Sequence, residues 1–129
     1  MKKLRSILKH DKKISISVFF PCYNDQFSIE KLVKDAFNVL KEIADDYEVI
    51  VIDDGSTDNS RSILQKIAKE NTKFKLVIHE KNRGYGGALK SGLEIASKDL
   101  VFYTDGDGQY DINELPLLLV LMTEDVNFI

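Results

Sequence analysis

Val49-Ile50-Val51-Ile52, running into Asp53-Asp54-Gly55-Ser56, is the stretch on which the fold turns. Four consecutive β-branched apolar residues have no polar face. As a strand this segment must be buried on both sides, the pattern of a parallel sheet covered by helices. Residues 53–58 then read as a turn-rich loop, with Thr57 or Asp58 placed to cap the next helix. Working back, Ile29, Leu32, Val33, Ala36, Phe37, Leu40 and Ile43 recur at three- and four-residue steps and predict an amphipathic helix. Before it, Ile14, Ile16 and Val18 alternate with Ser15 and Ser17 in a first strand that runs through Phe19-Phe20 to Pro21.

Working forward, Ile63, Leu64, Ile67 and Ala68 mark a second helix, and residues 74–78 a third strand. Residues 80–87 read as loop. Ala88, Leu89, Gly92, Leu93 and Ala96 give a third helical face, and residues 100–104 a fourth strand. Asn113 caps a last helix with Pro116 in its first turn, where a missing N–H is harmless. Val126, Phe128 and Ile129 open a fifth strand as the chain stops. This alternation predicts an α/β domain over residues 14–129, a mostly parallel sheet with helices on both faces, joined by right-handed crossovers.

Composition narrows the class. With 129 residues, 43% hydrophobic and 30% charged, the chain is an ordinary globular domain able to bury a core. A net charge of −3 speaks against a general nucleic-acid binder. Residues 1–13 form a basic tail, with six Lys or Arg against Asp11. It reads as a solvated terminus or as a segment drawn to an anionic membrane surface. No apolar core of a signal peptide follows the early lysines, and the longest apolar run, residues 117–122, is far below the roughly 20 residues a bilayer requires. Cys22 is the only cysteine, so it is expected to be a buried small hydrophobe in a reducing, cytoplasmic setting.

In such sheets ligands bind at the carboxyl ends of the strands. Each predicted strand here ends in a polar cluster. Pro21-Cys22-Tyr23-Asn24-Asp25 combines a rigid turn with an aromatic ring on which a base can lie. Asp53-Asp54-Gly55-Ser56 offers carboxylates that can accept from a nucleobase imide or ribose hydroxyls. Gly84, Gly86 and Gly87 permit close backbone approach at a helix start, where N–H groups helped by Arg83 can meet a diphosphate. Each of these three also reads, by itself, as a structural turn. The fourth cluster, Asp105-Gly106-Asp107-Gly108-Gln109, places oxygen donors at alternate positions. In extended backbone Asp105, Asp107 and Gln109 point the same way and converge on a hard divalent cation of the kind completed by phosphate oxygens. His10 and His79 show no ligand spacing and read as ordinary surface or strand-edge residues.

Taken together, Phe20-Pro21-Cys22-Tyr23-Asn24-Asp25 (where the family commonly carries Glu last), Ile52-Asp53-Asp54-Gly55-Ser56-Thr57-Asp58, Asn82-Arg83-Gly84-Tyr85-Gly86-Gly87-Ala88 and Asp105-Gly106-Asp107-Gly108-Gln109 resemble family 2 glycosyltransferases of the GT-A fold. The resemblance runs from about Ile14 to the C-terminus. The Asp-x-Asp-x-Gln form looks most like the branch that moves sugars onto polyprenyl or dolichyl phosphate. It implies a Rossmann-like nucleotide-sugar-binding half, a UDP- or GDP-linked donor, and transfer with inversion. It also implies Mg²⁺ or Mn²⁺ on Asp105, Asp107 and Gln109. Asp54 would contact the base, Pro21 and Tyr23 would shape its pocket, and Arg83 would lie near the phosphates.

The donor-binding set is thus Pro21, Tyr23, Asn24, Asp25, Asp53, Asp54, Gly55, Ser56, Arg83, Gly84, Gly86, Gly87, Asp105, Gly106 and Asp107. The implied acceptor is a lipid phosphate at the cytoplasmic face of a membrane. A general base, usual in the family beyond the fifth strand, has no candidate here. A catalytically incomplete nucleotide-binding module is the alternative. A dinucleotide oxidoreductase fits less well, since Leu89 replaces the third glycine of its fingerprint. A phospho-accepting signalling domain would leave the glycine-rich segment without a role.

Overall fold

The computed structural model describes residues 14–104. Val49, Ile50, Val51 and Ile52 are all fully buried, as an all-apolar strand requires. They lie in β2 (Asp46–Asp54), flanked by β1 (Ser15–Cys22) and β3 (Phe74–His79), with β4 (Leu100–Tyr103) on the far side of β1. All pairings are parallel and the order is β3-β2-β1-β4. Three helices connect the strands: α1 (Ile29–Ile43), α2 (Ser60–Glu70) and α3 (Gly84–Ile95). The expected basic tail, the Asn113-capped helix and the fifth strand lie outside the described residues.

Handedness distributes the helices. The first two crossovers step one way along the sheet, and the third doubles back past β2 and β1 to reach β4. Keeping each crossover right-handed therefore puts α3 on the opposite face. Side-chain alternation agrees. Ile16, Val18, Phe20, Val49 and Val51 pack in one core with Ile29, Val33, Leu40 and Leu64 of α1 and α2. Phe19, Ile50 and Ile52 pack in a second with Ala88 of α3.

Three boundaries differ from the sequence reading by more than one residue. β2 begins at Asp46, because Tyr47 packs its ring edge-on to Phe37 and Glu48 accepts from the buried Ser17 hydroxyl of β1. β2 also continues through Asp53 and Asp54, which the turn-like composition of 53–58 had suggested were loop. α3 begins at Gly84, so the three glycines form a first helical turn. Pro21 is tolerated in a central strand because β4 pairs only as far as Phe19↔Tyr103, so on that side no ladder partner is lost.

Gly92 fixes how closely α3 approaches the sheet. A Cβ there would sit 2.1 Å from two ring carbons of Phe19, itself fully buried. Alanine would gain about 1 kcal/mol in helix propensity but must displace a ring with nowhere to go. Gly92→Ala should lose about 2 kcal/mol net in urea denaturation; a variant as stable as the parent would show that α3 can lift without loss.

Candidate functional site at the carboxyl edge of the sheet

Because all strands run parallel, their carboxyl ends share one edge. Strand order reverses between β1 and β4, and the crevice outside such a reversal is where α/β sheets take ligands. Thr104, its N–H donating to the Phe19 carbonyl at 3.2 Å, carries the chain out of β4 at this crevice. Asp105, Gly106, Asp107 and Gln109, the expected metal and phosphate residues, lie outside the described residues. Among the described residues no three His, Cys, Asp or Glu side chains gather as a cation site.

The loop after β1 is laced to the loop after β2. Asn24 adopts φ +52°, a left-handed conformation asparagine tolerates. Its Oδ1 accepts from the N–H groups of Thr57 (2.8 Å) and Asp58 (3.2 Å), and its own N–H donates to Ser56 Oγ at 3.0 Å. Beside it, the Asp25 N–H donates to Ser60 Oγ (2.9 Å) and the Gln26 N–H to Asp58 (3.2 Å), while Gln26 Oε1 accepts from the Asn59 N–H. The Asp25 carbonyl accepts from Ser28 and Ile29 at the start of α1. Asp58 receives the Ser60 N–H at 2.9 Å, satisfying a donor in the first turn of α2. Asn24, Asp25 and Ser56 thus tie two loops into one wall. Tyr23, half exposed, and Phe27, 94% exposed, project from it.

Asp53 and Asp54 are neighbours on a strand and so point to opposite faces. Asp53, fully buried, accepts the Ser56 N–H (3.2 Å) and Arg61 Nε (2.8 Å); Arg61 also reaches the His79 carbonyl at 3.1 Å. This joins α2 to β2 and β3. Asp54 turns toward α3. Its Oδ1 accepts from the Arg83 N–H (2.8 Å) and lies 2.8 Å from His79 Nδ1, while Oδ2 accepts from the Gly84 N–H (3.0 Å). Burial by itself would raise the Asp54 pKa, but the Arg83 N–H, His79 and the Gly84 N–H outweigh it and hold the carboxyl below its ordinary value. Gly55 has φ +81°, and a Cβ there would stand 2.6 Å from the Asn82 nitrogen, so only glycine lets the loops after β2 and β3 meet.

The start of α3 reaches across to β4. Tyr85, largely exposed, sets its ring edge-on to Tyr103 with centroids 5.7 Å apart, and Tyr103 leans on Phe19 at 4.9 Å. Arg83 is exposed at this corner, with Gly86 and Gly87 in the turn behind it. Pro21 lies half-buried at the end of β1. Cys22 is buried, and burial pushes its thiol up to about 11, so it is an inert core residue as expected.

The sequence reading did not single out Arg61, Ser60 or Ser91, and it misplaced His79. His79 is not a surface residue: it is 2% exposed, bonded to Asp54 through Nδ1 and 2.8 Å from Ser91 Oγ through Nε2. No local signal marked it: the register of β3 on β2, which sets it opposite Asp54, is a property of the folded sheet.

An all-parallel sheet of this order, with three laced loops at its carboxyl edge, defines a Rossmann-like α/β domain of the GT-A class. The chain belongs to glycosyl transferase family 2, whose model matches residues 17–129. It is 33% identical over 115 residues to the undecaprenyl-phosphate 4-deoxy-4-formamido-L-arabinose transferase of Proteus mirabilis, covering 88% of this chain and 35% of that protein. With the dolichyl-phosphate beta-glucosyltransferase of Saccharomyces cerevisiae it shares 36% identity over 116 residues, 84% of this chain and 34% of that one. Among solved structures, glucosyl-3-phosphoglycerate synthase from Mycobacterium tuberculosis, in complex with Mn²⁺, UDP and glucosyl-3-phosphoglycerate, superposes with a TM-score of 0.68 at 26% identity. That match covers 94% of this chain and 43% of that one. The chain spans about a third of the length of these two relatives.

Proposed function

We propose that the chain is the donor-binding part of an inverting glycosyltransferase that takes a sugar from a UDP- or GDP-linked donor to a polyprenyl or dolichyl phosphate. The observation that carries this is the Tyr85–Tyr103 contact. It sets the start of α3 against the end of β4, the strand that leads into Asp105-Gly106-Asp107-Gly108-Gln109. The names of the two relatives support the acceptor class, and the Mn²⁺ and UDP of the mycobacterial synthase support the donor and the metal.

Asp105, Asp107 and Gln109 would hold Mg²⁺ or Mn²⁺, which when bound neutralises charge developing on the departing nucleoside diphosphate. Tyr23 and Pro21 would border the base, Asp54 would accept from it, and Arg83 would steady the diphosphate. A phosphate acceptor is already anionic near neutral pH, so it needs no general base of the kind a hydroxyl acceptor requires. Among the described residues no helix is long and apolar enough to cross a membrane. The lipid acceptor would be met at the cytoplasmic face, with the basic tail drawn to anionic lipid.

Calorimetric titration with UDP and GDP tests the donor site. Mn²⁺ should tighten binding of one of them by about tenfold, or 1.4 kcal/mol, and Asp107→Ala should abolish that gain. Binding indifferent to both metal and substitution would remove the proposal. Metal-dependent binding with no transfer to an added polyprenyl phosphate would instead favour the incomplete nucleotide-binding module.

A further inference from the structure

Ser91, His79 and Asp54 form a hydrogen-bonded chain from the middle of α3, through the end of β3, to the end of β2. The donor-site reading uses only its Asp54 end and gives His79 and Ser91 no role, although Asp54 and His79 are almost completely buried. Burial of such groups is costly unless their partners are well placed, and here they are. An ionised carboxylate only accepts, so His79 Nδ1 carries the proton toward Asp54. In the neutral ring Nε2 is then the acceptor for the Ser91 hydroxyl. The imidazole is held from both sides and cannot flip without losing a bond at each end.

A carboxylate has about four acceptor positions. In Asp54, Oδ1 receives His79 Nδ1 and the Arg83 N–H, and Oδ2 receives the Gly84 N–H. The fourth position is on Oδ2. We propose that His79 is a positioning residue for the nucleotide: held by Ser91, it fixes the plane of the Asp54 carboxylate so that the remaining Oδ2 position is kept for an N–H or O–H donor of the ligand. The inference rests on the donor-site reading above and names how one side of that site is kept in register. His79 acts through Asp54 and touches no ligand itself. By holding Oδ1 it also leaves the Arg83 and Gly84 N–H groups a fixed acceptor, which sets where α3 begins.

The test exploits two amides of different reach. An asparagine amide nitrogen lies where Nδ1 of histidine does, and a glutamine amide nitrogen lies where Nε2 does. His79→Asn therefore keeps the donor to Asp54, and His79→Gln moves it away. UDP and GDP are titrated into the parent chain and both variants in the presence of Mn²⁺, at a temperature where thermal melts show all three folded. Expected is affinity about tenfold weaker for His79→Gln and within about threefold of the parent for His79→Asn. A parent that binds with His79→Gln equal to it, or with His79→Asn as weak as His79→Gln, overturns the positioning role alone. A parent that binds neither nucleotide removes the donor-site reading and this inference with it. Should a variant not fold, ¹⁵N NMR of the parent imidazole decides: a protonated Nδ1 is required, and the Nε2–H tautomer overturns the inference.

Discussion

Asp54→Ala should cost about 3–5 kcal/mol, as read by the shift of the urea midpoint. The carboxylate receives His79 Nδ1 and two backbone N–H groups, at 2.8 to 3.0 Å, in a site only 4% exposed. Removing it strands the His79 and Arg83 donors, while the Gly84 N–H keeps Asn82 Oδ1 at 2.9 Å, and each stranded donor costs about 1–3 kcal/mol. A domain with about 5–15 kcal/mol in hand does not absorb that easily. Asp54→Asn keeps one acceptor oxygen and should fall between the parent and the alanine variant. If Asp54→Ala is within about 1 kcal/mol of the parent, the contacts joining β2 to the start of α3 are dispensable, and the hydrogen-bonded chain from Ser91 through His79 to Asp54 has no energetic basis.

The second large effect is expected in acid and arises at the opposite edge of the sheet. Glu48, 3% exposed, accepts from the Ser17 hydroxyl (2.6 Å), the Ser97 N–H (2.8 Å) and the Ser97 hydroxyl (3.0 Å), and pairs with Lys75 at 2.6 Å. It thereby joins β1, β2, β3 and the connection from α3 to β4. Burial by itself raises its pKa. The Lys75 ammonium, the Ser17 hydroxyl and both Ser97 donors more than reverse this and bring it from an ordinary 4.5 down to about 2. A carboxyl depressed in the folded state contributes stability that is complete above its unfolded value and lost as pH falls through its folded one. The window is therefore pH 4.5 down to 2, and the contribution is about 3 kcal/mol. Urea midpoints of the parent should drop across this window. Glu48→Gln should be less stable at pH 7 and lose less than the parent between pH 5 and 2. A parallel decline in both would assign the acid sensitivity elsewhere.

Much of the frame was legible because burial writes itself into hydrophobic pattern. The unbroken run Val49–Ile52 could only be a strand covered on both faces, and the three- and four-residue recurrence from Ile29 to Ile43 matches α1 end to end. Boundaries made of polar residues were harder. Asp53 and Asp54 look like turn residues because isolated carboxylates prefer solvent; in the folded chain Arg61 and His79 satisfy them, so the strand continues. The glycines at 84, 86 and 87 look like loop because glycine disfavours helices. Gly84 nonetheless begins α3, since its N–H and that of Arg83 are received by Asp54.

His79 shows the limit most clearly. Its neighbours in sequence say only that it ends a strand, and no spacing relates it to residues 25 positions before and 12 after it. The local pattern by itself determined the alternation of strands and helices, the faces they bury and the edge where polar clusters collect. Those follow from periodicity and solvent exclusion, which act over a few residues. Only the tertiary structure decided that Asn24 and Ser56 clasp two loops, that Asp53 and Asp54 serve opposite faces, and that His79 stands between Asp54 and Ser91. Such pairings depend on strand register and helix placement, set by packing across the whole sheet, and no short stretch of chain encodes them.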